Sequence, residues 1–507
     1  MLVFKRLNKM KGFDVNHPDN AIQNSYAWSM AELGDYIYVG TCRNMLSNAP
    51  SLNHSSNVLS SFETELDNNA EIWRYRKDGT CSWQRVFKTN PEDHSYGFRV
   101  MITHQSEYSC AIYAATIGEK AYVYKSTDGV YWEQLYTPEL VGTSSRALAS
   151  FNGRLYIATL EEGIGGEEPH LYSSRDPEFE PFESVIDMNH PSFISSQNPV
   201  GGIDSLQVFN HQLYVGIETE NGAEIWRSNH RNPQTNDWVL VADKGFGDAM
   251  NRNVMSSGVF KNHLYLAVTK VLPLSLFAPL GFDLIRIDRD DNWEVVVGGR
   301  PLIPSSPSTG IRNEGISGFD SGFNNFFNVY GWQIKEYQGH LIITTYDGSI
   351  NLRSMYNAFL KNKEQYIENI GLDNYLKITT AYSKILCLLS KHRYPQGFDI
   401  YKSIDGCHFE PVNLDGLHDH YNYGGRTLHV SDENELYLGT ANPYYGCEVW
   451  KGRFINSPCC YSNSYLQNYY HNLNELNDEL KQIYPDLIEA LENMFTIQSN
   501  ARTNSDE

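Results

Sequence analysis

Tyr36-Ile-Tyr-Val-Gly-Thr41, with Ala70-Glu-Ile-Trp-Arg74 after it, decides the fold, because both phrases return along the chain. The first comes back at Ala111-Ile-Tyr-Ala-Ala-Thr116, Leu155-Tyr-Ile-Ala-Thr159, Leu213-Tyr-Val-Gly-Ile217, Leu264-Tyr-Leu-Ala-Val268, Leu341-Ile-Ile-Thr-Thr345 and Leu436-Tyr-Leu-Gly-Thr440. The second comes back at Ala121-Tyr-Val-Tyr-Lys125, His170-Leu-Tyr-Ser173, Ala223-Glu-Ile-Trp-Arg227, Phe282-Asp-Leu-Ile-Arg286, Phe398-Asp-Ile-Tyr-Lys402 and Cys447-Glu-Val-Trp-Lys451. Apolar and polar residues alternate in these phrases, as in half-buried strands. A polar turn and a further strand usually follow, as in Ser126-Thr-Asp-Gly-Val-Tyr-Trp-Glu-Gln134. Each unit therefore reads as four short antiparallel strands. A single unit cannot cover its own faces and must stack on neighbours, so the repeat predicts an all-β, seven-bladed β-propeller. Unequal unit lengths leave six or eight blades as the alternatives.

The seventh unit ends at Trp450-Lys-Gly-Arg-Phe454 without an outer strand, while Leu2-Val-Phe-Lys-Arg-Leu7 stands outside any unit. That segment matches the outer strand Trp83-Gln-Arg-Val-Phe87. The N-terminal strand is thus expected to complete the last blade, which removes an exposed sheet edge. The expected domains are a propeller over 1–456, with a helical insertion at about 350–395 in blade 6, and a C-terminal helical extension over 457–507. That extension reads as one or two amphipathic helices broken near Pro485, ending in a frayed tail of about ten residues.

Composition narrows the function. The 507 residues carry 61 Asp+Glu against 40 Lys+Arg, a formal charge of −21. That surplus repels phosphate backbones, and no basic stripe offsets it, so nucleic-acid binding is not expected. The N-terminus has no apolar run of signal-peptide length, and no stretch reaches the ~20 apolar residues of a membrane span. Eight cysteines without a CxxC spacing argue against a disulfide framework. Adjacent Cys459 and Cys460 read as exposed thiols. The expected address is cytoplasmic.

Two turns carry a resemblance. Ser126-Thr-Asp-Gly-Val-Tyr-Trp132 resembles the Asp-box turn of sialidase-like β-propellers with one spacer missing, and Ser403-Ile-Asp-Gly-Cys-His-Phe409 is similar with Phe in place of Trp. The resemblance implies that Asp accepts backbone N–H groups, Gly takes the left-handed conformation and the aromatic packs between blades. It also implies that these turns lie away from the active centre. The sialidase N-terminal arginine motif is not matched, nor is that family's Tyr/Glu nucleophile pair.

Functional residues are expected where inner strands begin, around the mouth of a central channel. Counting back from each repeat tyrosine gives Trp28, Arg146, Asp204, Met255 and Trp332, and loop-length changes place Arg99 and Arg426 at the matching positions. Tyr26, Tyr330 and Tyr423 precede their strands' ring positions and, flanked by Arg, are expected to act as bases or nucleophiles through a stabilised phenolate. The ends of the second strands add Arg43, Asn44, Glu161, Glu218, Lys270, Asp347 and Asn442. Arginines in a concave site suit a carboxylate or phosphate held bidentately. They equally suit structural ion pairs across blades. His418 and His420, with Asp419 between them, form a candidate site for a divalent metal ion.

Long loops leave the same face and are expected to roof a small-molecule pocket. The sequence therefore points to a small-molecule enzyme with an Arg/Tyr-lined pocket for an anionic or phenolic substrate, a transferase or hydrolase. Arg and Tyr at a propeller mouth also look like the cyanobacterial aryl-alkylating enzymes of cylindrocyclophane-type pathways, which implies alkyl transfer to an aromatic carbon or carboxylate. The alternative is a non-catalytic propeller that binds a glycan, or a protein partner through 350–395 or the C-terminal helices.

Overall fold

The computed structural model describes residues 1–48, 66–161, 169–186, 199–235, 237–457 and 461–503, with backbone alone at 199–201 and 497–503. Cys459 and Cys460 lie outside the described residues. Strands dominate. They fall, among the described residues, into seven consecutive four-stranded antiparallel units. In the first, Asn24–Leu33 pairs with Tyr36–Arg43, which pairs with Glu71–Arg76, which pairs with Gln84–Lys88. The last unit has Gly424–Val430, Leu436–Ala441 and Val449–Phe454. Its fourth strand is Leu2–Arg6, with Leu2 opposite Phe454 and Arg6 opposite Trp450. The inner strands neighbour one another in cyclic order, the first also touching the last.

Local chemistry explains the units. Several inner hairpins turn through two residues that both have positive φ: Asn152 and Gly153, Lys261 and Asn262, Gln338 and Gly339. Such turns match the strands' right-handed twist. The Glu of Glu-Ile-Trp-Arg is explained by burial. Trp73 lies two residues beyond Glu71, on the same strand face, and its Nε1 donates to the Glu71 carboxylate at 2.8 Å. Trp226 does the same to Glu224 at 2.9 Å. Asparagines at the start of inner strands satisfy the same carboxylates: Asn24 to Glu71 at 3.1 Å, Asn251 to Asp283 at 3.0 Å, Asn328 to Asp399 at 2.8 Å and Asn422 to Glu448 at 2.8 Å. Buried charges without such partners would cost several kcal/mol.

Between units the faces are apolar. Tyr38, Ile72, Phe98, Ala114 and Trp132 form one such seam. Each fully buried large side chain contributes roughly 1.5–3 kcal/mol. In the turn before Trp132, Asp128 Oδ1 accepts the amides of Val130 and Tyr131, both at 2.8 Å, and Gly129 has φ +72°. Asp405 accepts the amides of Cys407 and His408 at the same distances, with Gly406 at φ +81°.

Helices Ser349–Lys361 and Lys363–Lys391, the latter kinked at Gly371, occupy the sixth unit's long connection. The first packs on the second, and the second on the C-terminal helix Asn463–Thr503, where Leu473, Leu476, Leu480, Leu487 and Leu491 are buried at helical spacing. The expected break near Pro485 does not occur, because this packing holds the helix through the proline. The helix continues to Thr503, into the expected tail, and residues 504–507 lie outside the described residues. Among the described residues no helix is long and apolar enough to cross a membrane.

Candidate functional site

All seven inner strands carry a β-bulge at the same height. The register shifts between Ala27 and Ser29, Phe98 and Val100, Ser145 and Ala147, Ile203 and Ser205, Val254 and Ser256, Gly331 and Gln333, and Gly425 and Thr427. The skipped residues are Trp28, Arg99, Arg146, Asp204, Met255, Trp332 and Arg426, the ring positions expected from sequence. A bulge leaves one residue unpaired and re-aims its side chain.

These side chains meet. Arg99 stacks on Trp28 at 5.3 Å, and Arg426 lies 6.0 Å from Trp28 and 5.1 Å from Trp332. Arg146 pairs with Asp204 at 3.4 Å. The tryptophans lie flat on glycines of the next unit. A Cβ on Gly97 would sit 2.4 Å from the Trp28 ring, and one on Gly424 2.0 Å from the Trp332 ring. Tyr26, Tyr330, Tyr346 and Tyr423 complete a buried aromatic cluster with both tryptophans, and the hydroxyls of Tyr26 and Tyr423 share a hydrogen bond.

Electrostatics corrects one expectation. Burial outweighs the arginines and raises the pKa of Tyr26, Tyr330 and Tyr423 far above the ordinary phenol value. The arginines do oppose this at Tyr26 and Tyr330. All three are therefore neutral hydrogen-bonding groups rather than stabilised phenolates. Arg426 shows the reciprocal effect. Burial, then repulsion from Arg99 and Arg146, lowers it to about 9. Arg426 is only half-buried by exposed area, so it keeps some contact with solvent.

The second-strand ends divide. Glu218 joins the ring. Asn253 Nδ2 donates to Glu218 at 2.5 Å and to Asp204 at 3.1 Å, bridging the two carboxylates. Sequence reasoning passed over Asn253, although it precedes Met255 by the same two residues that separate Tyr26 from Trp28 and Tyr330 from Trp332. Arg43 does not join the ring. It is wholly buried and donates to Asn20 Oδ1 at 2.9 Å, Asn24 Oδ1 at 3.1 Å and the Asp67 carbonyl at 3.0 Å, beside Glu71. Lys270 is held likewise by Asp248 at 2.9 Å and Asp283 at 3.1 Å. Asp347 accepts the amides of Ser349 at 2.7 Å and Gly397 at 2.8 Å, so one carboxylate clasps both ends of the helical insertion. Burial pushes it up to about 7.

The metal expectation is not met by the geometry. His418 Nδ1 is bonded to Asp415 at 2.8 Å on the surface, and His420 packs on Tyr421 at 4.0 Å. Among the described residues no three His, Cys, Asp or Glu side chains come together as a ligand set.

No protein-family model matches the chain, and no curated protein matches it. Among solved structures, a luciferin-regenerating enzyme is similar with a TM-score of 0.36 and 9% identity, over 70% of this chain and 91% of that one. Phage phi92 endosialidase gives a TM-score of 0.39 and 8% identity, over 68% and 64%. A mutant Trypanosoma rangeli sialidase with trans-sialidase activity gives 0.35 and 10%, over 90% and 59%. At these scores the likenesses assign neither activity nor substrate.

Proposed function

We propose that the seven units are the blades of a seven-bladed β-propeller closed by the N-terminal strand. Residues 1–456 form this domain and 457–507 its helical extension. Its hollow is the site of an enzyme acting on an anionic, ring-bearing small molecule. The bulge ring carries this reading: Arg99, Arg146 and Arg426 stand on three of the seven bulges, and among the seven bulge residues Asp204 is the one carboxylate. Bulges re-aim side chains at the cost of regular pairing, and clustered guanidinium groups repel one another, a repulsion that an anion between them relieves. Trp28 and Trp332 offer faces for a ring, and neutral Tyr26, Tyr330 and Tyr423 offer hydroxyl donors. Asp204 and Glu218, joined through Asn253, are the carboxylates for acid–base work in hydrolysis or group transfer.

The test is turnover of a panel of aryl and glycosyl phosphates, sulfates and carboxylates by the purified protein. At least one should be consumed, and Arg99→Met or Arg426→Met should lower kcat/KM for it by about a hundredfold or more, as when a charge-assisted contact to the substrate is lost. Turnover unchanged in both variants would refute the site. A second reading, a non-catalytic partner-binding propeller, draws support from exposed Leu360, Leu372 and Leu376 on the helical insertion. It predicts partner capture that survives Arg426→Met and fails when those leucines become Ser.

A further inference from the structure

A second concave site lies outside the bulge ring. A cavity of about 540 Å³ opens between the ends of the helical insertion and the loops of the last unit. Tyr444 braces its wall, donating to Asn351 Oδ1 at 2.9 Å. Tyr421 packs against Tyr445 at 4.7 Å and against Tyr444 at 5.4 Å, giving an aromatic side. Ile350 and Tyr444 belong both to this lining and to the aromatic cluster of the ring, and so stand between the two sites.

The charge of the cavity runs against that of the chain. The protein carries a formal −21, yet no Asp or Glu lines this cavity, while Arg353 and Arg393 both do. Both arginines are exposed, and among the described residues neither guanidinium makes a hydrogen bond or ion pair. By contrast, Arg43 is paired with Asp67 and Glu71, Lys270 with Asp248 and Asp283, and Lys11 with Asp419. Gln396 and His420 add polar groups to the lining. Two guanidinium forks favour a doubly charged tetrahedral oxyanion over a single carboxylate, and tyrosine faces favour a flat ring attached to it.

We infer that this cavity binds a phosphate-type oxyanion carried on an aromatic or similarly flat ring, at a site separate from the bulge ring. The probes are phenylphosphonate, inorganic phosphate and benzoate, titrated calorimetrically into the full chain. Phenylphosphonate is expected to bind more tightly than either of the others. Arg353→Met/Arg393→Met should weaken it at least tenfold, and Arg353→Lys/Arg393→Lys, keeping charge, should restore part of that loss. Tyr445→Ala should weaken phenylphosphonate several-fold and leave inorganic phosphate unchanged. Arg426→Met should leave unchanged the component of phenylphosphonate binding that the double Met substitution removes. The inference is overturned if the wild-type chain fails to bind phenylphosphonate at millimolar concentration, or binds it equally after the double Met substitution. It is also overturned if binding is lost only in Arg426→Met, a result that places the anion in the ring and upholds the ring reading alone. Matching thermal unfolding of the double variant and the wild type shows that the comparison is between folded proteins.

Discussion

Arg426→Met removes a charge that the fold holds at a cost. Burial and neighbouring arginines bring that guanidinium from 12.5 to about 9. At 1.36 kcal/mol per pH unit, the cost of keeping it charged is on the order of 5 kcal/mol as a ceiling. Two effects reduce this figure. Stacking on Trp332 at 5.1 Å and Trp28 at 6.0 Å returns roughly 1–2 kcal/mol for each partly desolvated contact. The side chain also keeps some water, so full desolvation is not reached. Methionine retains the apolar stem and adapts to irregular space. The net expectation is a gain of about 1–2 kcal/mol, read as a higher urea midpoint with an unchanged slope. The sign of the pH dependence is a second readout. The folded value lies below the unfolded one, so above pH 9 the unfolded chain binds the extra proton and this group adds stability as pH rises; the buried tyrosines, raised by burial, oppose it above pH 10, so the readout is the difference between wild type and Arg426→Met across that range. An anion that occupies the ring should stabilise the wild type by about 2.7 kcal/mol at a hundred times its Kd and the variant by much less. If Arg426→Met instead lowers stability by more than about 1 kcal/mol, as loss of an ordinary structural arginine would, the guanidinium is part of the scaffold and the reasoning fails.

Other consequences can be checked separately. Gly424→Ala puts a Cβ 2.0 Å from the Trp332 ring, so it should cost about 1–3 kcal/mol and shift the near-ultraviolet circular dichroism; an unaltered spectrum would contradict the packing. Deleting residues 1–7 removes the ladder from Leu2–Phe454 to Arg6–Trp450 and bares a sheet edge, and should lower Tm by several degrees and promote aggregation; a Tm equal to wild type would show that the pairing adds no stability. Burial pushes Asp347 and Asp399 each up to about 7. Between their unfolded value of 3.8 and 7 the folded chain binds protons that the unfolded chain does not, so stability falls as pH rises through that window and is flat above it. His104, lowered by burial, opposes this with a single group. Urea titrations at pH 5.5 and 7.5 should show the loss in the wild type and a smaller one in Asp347→Asn/Asp399→Asn; equal slopes would exclude these groups as the source.

The sequence alone determined the four-stranded unit, its repetition and the phase of the inner strands, because alternation and turn chemistry act over a few residues. The same phase puts Trp28, Arg146, Asp204, Met255 and Trp332 at the starts of inner strands, and loop-length changes put Arg99 and Arg426 there, since equivalent positions in a repeat occupy equivalent heights. Tertiary structure decided what depends on remote neighbours. Only packing shows that Arg43 and Asp347 are tied into local networks while Glu218 meets Asp204 through Asn253. Desolvation, a property of everything surrounding a group, keeps the tyrosines neutral against the pull of the arginines. Contact with the helical insertion carries the C-terminal helix through Pro485 where local propensity predicts a break. The second cavity joins the insertion, residues 349–396, to loops at 420–445, and no short-range pattern in the chain registers that proximity.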